Sequence, residues 1–322
     1  MGGRAEKFLM NQRIDWKLAA ALGTVYLVWG STYLAIKIAV ETIPPLLAAG
    51  VRFVVAGAML YSWSRLRKEA PPLGEHWPRL WLMGALMFLV SYSCLFWAEE
   101  TVPSGIASVL VAMLPAWVLI FEAIVLRTQR LTFPLMAALA AGFAGVAILT
   151  GISSGGSAIP LLPCLAILVS EASWAAGSIL SKKLILPASQ GISAGAQMFC
   201  GGCLLLLFSG LFGEWRNLKP VPPAGIFSMV YLILAGSLLA YRSYVFLLGR
   251  MSPTKVSSYA YVNPIVALGL GYLMAGETLH WNAIVGAAFV LASVFLILTH
   301  RGTAKAVARP SDGPVELVGE RD

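Results

Sequence analysis

From residue 18 to residue 299 the chain alternates apolar stretches of roughly 20 residues with short polar breaks. A helix rises about 1.5 Å per residue, so a stretch of that length crosses the roughly 30 Å hydrocarbon core of a bilayer. The pattern predicts spans at 18–38, 44–64, 78–98, 104–126, 133–150, 159–181, 191–213, 223–247, 253–275 and 281–299. Several begin beside a proline, among them Pro44, Pro45, Pro78, Pro103, Pro134, Pro160, Pro222, Pro223 and Pro253. Proline suits a first helical turn, where its missing N–H would have no partner anyway. The breaks are short, so consecutive helices run antiparallel as neighbours. The expected fold class is an all-α membrane protein of about ten transmembrane helices.

Composition agrees. Hydrophobic residues make up 58% of the chain and charged ones 12%, where a soluble domain carries about 25% charged residues. The apolar excess has to face lipid. The net charge of +8 does not imply nucleic acid, because the basic groups sit in short clusters between apolar runs. They report orientation instead. With the N-terminus inside, 18 Lys and Arg fall in cytoplasmic segments and 2, Arg216 and Lys219, fall outside. Lys37, Arg52 and Arg242 lie within spans. This positive-inside bias makes both termini cytoplasmic. No cleaved signal peptide is expected. Cys94, Cys164, Cys200 and Cys203 all lie in apolar runs and read as small packing residues rather than a redox or metal site.

The chain also repeats. Shifted by 145 residues, Trp29 falls on Trp174, Lys37 on Lys182, Ala49-Gly50 on Ala194-Gly195 and Gly57 on Gly202. Farther along the offset is 149, which puts Ser108 on Ser257 and Pro115 on Pro264. The unit is five spans. An odd number means that the second unit enters the membrane upside down, the inverted-repeat plan of many secondary carriers. The expected organisation is a cytoplasmic segment at 1–16, a first five-helix repeat at 17–150, a second at 159–299 and a polar cytoplasmic tail at 300–322.

Trp29-Gly-Ser-Thr-Tyr33, Ala49-Gly-Val-Arg-Phe53, Val102-Pro-Ser-Gly-Ile-Ala107, Ser258-Tyr-Ala-Tyr-Val-Asn-Pro264 and Gly276-Glu-Thr278 resemble the EamA-type transporters of the drug/metabolite transporter superfamily. The resemblance covers about residues 20–299. It implies a ten-helix carrier in a bacterial inner (plasma) membrane, with a central cavity lined by spans 1–4 and 6–9 and with spans 5 and 10 peripheral. Many relatives of that kind export amino acids, metabolites or toxic compounds. Glu171 and Arg242 depart from the pattern, which has small or neutral residues there.

Candidate chemistry follows from stripes and depth. Tyr26, Trp29, Tyr33 and Lys37 share one face of span 1, and Glu171, Trp174, Ser178 and Lys182 share the matching face of span 6. Aromatic walls suit apolar, aromatic or cationic ligands, and interhelical packing is the other use of such rings. The lysines, near helix ends, are expected to snorkel. Arg52 and Glu171 lie near the midplane, where a charge needs a partner, a wet cavity or a proton. Arg52 fits a carboxylate anchor or a structural ion pair; Glu171 fits a proton-coupling group or a neutral packing residue. The expected substrate-binding set is Trp29, Tyr33, Arg52, Trp174, Ser178, Tyr261 and Asn263, with Pro115, Glu122, Arg242 and Pro264 as gating residues. Glu99 and Glu100 read as a wet surface pair.

Enzyme motifs are absent from the sequence, and no cofactor or metal is expected. The reading is a secondary transporter exporting small metabolites, amino acids or drug-like compounds by alternating access. A passive channel or facilitator is the alternative, and needs a continuous wet pore. The expected partners are a small-molecule substrate and the lipid bilayer, with no nucleic acid; a homodimer is left open.

Overall fold

The computed structural model of the chain describes residues 16–127, 132–149, 160–277 and 281–299. The first fifteen residues, the polar tail from residue 300, Thr278 and His280 lie outside them. The described residues are helical throughout, without a strand. Seven helices are long and apolar enough to cross a membrane: α1 (Trp16–Val40), α2 (Pro45–Leu66), α3 (Gly74–Glu99), α4 (Ser104–Leu126), α6 (Leu161–Leu180), α7 (Gln190–Leu211) and α8 (Pro223–Leu248). Three shorter apolar helices complete the described bundle: α5 (Phe133–Leu149), α9 (Tyr259–Ala275) and α10 (Trp281–Thr299). Span 9 was expected unbroken from residue 253. Instead a short turn, Pro253–Val256, precedes α9, and the chain kinks at Ser257–Ser258.

Two seams organise the bundle. α2 packs along α7, and α5 along α10. The first seam closes on matched glycines. A Cβ on Gly57 would stand 2.4 Å from the Phe199 nitrogen, and one on Gly202 would stand 2.5 Å from that of Val54. Only a residue without a side chain lets the backbones meet there. Each end of the seam is fixed by a carboxylate from the other helix. Glu214, just past α7, accepts the backbone N–H of Leu46 (3.2 Å) and Leu47 (2.8 Å) at the start of α2, and also the Ser209 hydroxyl (2.7 Å). Its match, Glu69, just past α2, accepts the hydroxyl of Ser189. Ser189 in turn caps the Ile192 N–H at the start of α7 (3.1 Å). Pro44 stands where the second half has Ser189, so Glu214 binds the amides itself. Helix N-termini leave amides unpaired and carry positive potential, which these acids satisfy.

α3 and α8 each contain a widened π-helical stretch, Ala85–Val90 and Leu232–Leu239. Such a stretch releases carbonyls from the helical ladder. In each helix one of them is taken by the opposite half: Leu86 O accepts the Ser173 hydroxyl (2.7 Å), and Gly236 O accepts the Trp29 indole N–H (3.0 Å). The midpoints of α3 and α8 are thereby tied to α6 and α1.

Candidate functional site

The stripes predicted on spans 1 and 6 meet at the centre of the bundle. Trp29 and Trp174 lie edge to face with ring centroids 5.7 Å apart. Tyr244 packs against both, at 5.1 and 5.4 Å, and Tyr259 packs on Trp29 at 5.0 Å. Tyr92 joins from α3, 5.9 Å from Trp174. Edge-to-face contact sets the positive ring edge on the negative ring face, so the cluster holds itself in a fixed geometry.

Beside this cluster is a small cavity of about 40 Å³ with mostly buried walls, among them Trp29, Tyr33, Tyr92, Glu171, Trp174 and Tyr259. Glu171 is a buried acid on the wall of this space. Arg52, also buried, stands behind Tyr92, its guanidinium 5.2 Å from that ring. Its Nε donates to the Ser237 hydroxyl (2.8 Å), and its Nη1 has no hydrogen-bond partner. Arg52 and Glu171 both lie within electrostatic reach of Tyr92, and neither forms an ion pair with any described residue. An unpaired guanidinium nitrogen and a buried carboxyl, with aromatic rings nearby, can hold a carboxylate, an apolar body and a proton or amine.

The other predicted positions divide. Ser178 is buried and bonds Tyr244 Oη at 2.6 Å. Asn263 is buried, and with its amide turned to donate it bridges Tyr259 O (3.2 Å) and Tyr26 O (3.0 Å), which makes it a brace between α9 and α1. The side chain of Tyr261 lies outside the described set. Pro115 follows a break in α4 at Ala112–Met113. Lacking an N–H, it withdraws the donor that Val111 O would use, and Val111 lines the cavity. Pro264 lies inside α9 without a matching break, which comes earlier, at Ser257–Ser258. Glu122 is buried in the closing turn of α4. Arg242 is exposed and is not among the residues that line the cavity. The π stretch before it advances the register, turning Tyr241 and Tyr244 inward and Arg242 outward.

The two lysines do not snorkel freely. Lys37 Nζ donates to Glu99 O (2.8 Å) and Glu100 O (3.0 Å) at the end of α3. Lys182 Nζ, its match, donates to Leu248 O and to Met251 O (3.4 Å) at the end of α8. The 149 shift puts Glu99 on Leu248. Each lysine thus holds the carbonyl end of the matched helix, where unpaired C=O groups carry negative potential. The two contacts sit at opposite ends of the bundle, each beside an open vestibule. One, of about 720 Å³, is walled in part by Glu41, Trp97, Glu100 and Lys219. The other, of about 280 Å³, is walled in part by Lys182, Gln190, Gln197 and Tyr241.

Reading the sequence missed Tyr92, Tyr244 and Glu99. Glu99 is a correction: it was expected at a wet surface and is fully buried.

The EamA-like transporter family model matches residues 16–151 and again 161–299. The inner membrane transporter YedA of Escherichia coli strain K12 is 38% identical over 266 residues, covering 81% of this chain and 84% of YedA. A probable amino-acid metabolite efflux pump of Salmonella typhimurium strain LT2 is 26% identical over 283 residues, covering 84% of this chain and 91% of the pump. A solved crystal structure shares the fold with a TM-score of 0.63 at 18% identity, covering 87% of this chain and 95% of that one.

Proposed function

The chain belongs to the EamA-like transporter family, and we propose on that footing that it is a secondary carrier exporting amphipathic, carboxylate-bearing metabolites of amino-acid type. It works by alternating access through ten spans, arranged as two inverted five-helix repeats in a bacterial inner membrane with both termini cytoplasmic.

The observation that carries this reading is the small buried-walled cavity between two matched helices, with Trp29 and Trp174 at its wall and open vestibules at either end. A channel needs a continuous wet path. Here the path is interrupted at the centre by packed rings and at each end by a lysine latch. In the mechanism the Lys37 latch releases to open one side and the Lys182 latch to open the other. Aromatic faces hold the apolar part of the substrate. Arg52 takes its carboxylate through the free Nη1. Glu171 exchanges a proton for the substrate, so protonation on one side and release on the other give the cycle a direction. The pump named for amino-acid metabolites supports the substrate class, as YedA supports the inner membrane.

The test is counterflow in proteoliposomes with a panel of labelled amino acids bearing aromatic or apolar side chains. Transient accumulation against unlabelled internal substrate is expected, and Glu171→Gln should keep this exchange while losing response to an imposed pH gradient. Label that only equilibrates, without overshoot, would mean a channel. Retained gradient response in Glu171→Gln would remove Glu171 as the coupling group.

A further inference from the structure

Glu99, at the end of α3, is 0% exposed, and neither of its carboxyl oxygens has a hydrogen-bond partner. Its burial follows from helix geometry. Side chains lean toward the N-terminus of their helix, so the last residue of α3 reaches back toward Leu95 one turn earlier, and Leu95 lines the central cavity. The charged groups that face Glu99 are Lys37 from α1, Arg52 from α2 and Glu277 from the end of α9. All three are engaged elsewhere. Lys37 holds backbone carbonyls, Arg52 donates to Ser237, and Glu277 accepts Ser104 N (2.7 Å), Ser104 Oγ (2.7 Å) and Gly105 N (3.0 Å) at the start of α4. The Tyr33 hydroxyl of α1 lies within electrostatic reach of Glu99 and of Glu171 on α6, without a hydrogen bond to Glu99. Water is close on the other side, because the next residue, Glu100, walls the larger vestibule.

A desolvated carboxylate without partners is far costlier than a neutral carboxylic acid in the same place. We propose that Glu99 is a second proton-binding site, loaded from the larger vestibule. This rests on the reading of Glu171 as the coupling group. With its proton bound Glu99 is a neutral acid; when the proton leaves to vestibule water, Glu99 is a carboxylate within electrostatic reach of Lys37 and Arg52, ready to take a proton back. The site is one-sided. The position that matches Glu99 at the opposite end is Leu248, whose carbonyl takes Lys182 as that of Glu99 takes Lys37.

The experiment uses full-length protein in lipid. Infrared difference spectra across a pH titration should contain two buried protonated carboxyls, one absent from Glu99→Gln and the other absent from Glu171→Gln. With the amino acid that the wild type exchanges best, Glu99→Gln should keep counterflow and should lose about a hundredfold in transport driven by acid on the Glu100 side, the scale of a positioned proton-transfer group. A wild-type infrared titration in Glu99→Gln, or an unchanged gradient response, overturns the proposal. A gradient response lost in Glu99→Gln but kept in Glu171→Gln would sink the reading of Glu171 and leave Glu99 as the proton site. Should Glu99→Gln fail to fold, Glu99→Asp takes its place, with a displaced carboxyl band expected and an undisplaced one overturning the site.

Discussion

Trp29 and Trp174, 145 positions apart in sequence, meet ring to ring at 5.7 Å with their planes at 82°. Their hydrogen bonds differ: Trp29 donates to Gly236 O at 3.0 Å and Trp174 to Tyr244 Oη at 3.2 Å. The pair therefore marks a pseudo-symmetry centre whose two sides are chemically unequal. In the proposed cycle that inequality separates substrate binding from proton handling.

The seam between α2 and α7 gives a prediction about stability. Gly57→Ala puts a methyl 2.4 Å from the Phe199 nitrogen, where backbone has to move. It should cost about 1–3 kcal/mol, the range for overpacking a tight contact. Gly23→Ala, with nothing within 4 Å, should be neutral or slightly stabilising. Thermal unfolding in detergent compares the two, and equal melting would mean that the seam gives under strain.

The latches predict separable effects. Lys37→Ala should raise amide hydrogen exchange at the end of α3, around Glu99 and Glu100, and leave the end of α8 protected. Lys182→Ala should do the reverse. Exchange that rises at both ends in either variant would mean that the lysines support the whole fold rather than one gate each.

Much of this site was legible in the sequence. The duplication exposed Trp29 and Trp174 because both halves keep the same residue, and depth alone singled out Arg52 and Glu171. What stayed hidden lies beyond the π stretches. A regular 3.6-residue stripe drawn along α8 gives no warning that Tyr244 turns inward and Arg242 outward, since the widened turns shift the register. Glu99 was hidden for another reason. Beside Glu100 at a helix end it looks solvated, and only the backward lean of the side chain and the packing of α1 take it out of water. The lysines resembled snorkelling groups because their acceptors are backbone carbonyls, which sequence does not distinguish.

Arg52→Ala should weaken binding of a carboxylate substrate by about tenfold or more, since a hydrogen bond to a charged group contributes about 1.5–3 kcal/mol. Ser237→Ala removes only the partner of Nε (2.8 Å) and should weaken binding less. Equilibrium binding to purified protein measures both. Unchanged affinity in a folded Arg52→Ala protein would make Arg52 a structural cation alone.

Orientation has its own test. Alkaline phosphatase fused after Gly213 should be active and fused after Lys183 inactive, as the excess of Lys and Arg on one side requires. The opposite pattern would invert the whole assignment and with it the vestibule that faces the cytoplasm.

Alternating access is tested most directly at Tyr33 and Ser178, matched positions lying toward opposite ends of the buried centre. Each is replaced by cysteine in a background where Cys94, Cys164, Cys200 and Cys203 are alanine. Reaction with a water-soluble maleimide is then followed with and without a transported amino acid. Alternating access predicts opposite changes, one position gaining reactivity as the other loses it, because the two gates never open together. Both rates rising together would contradict it and point to a continuous pore.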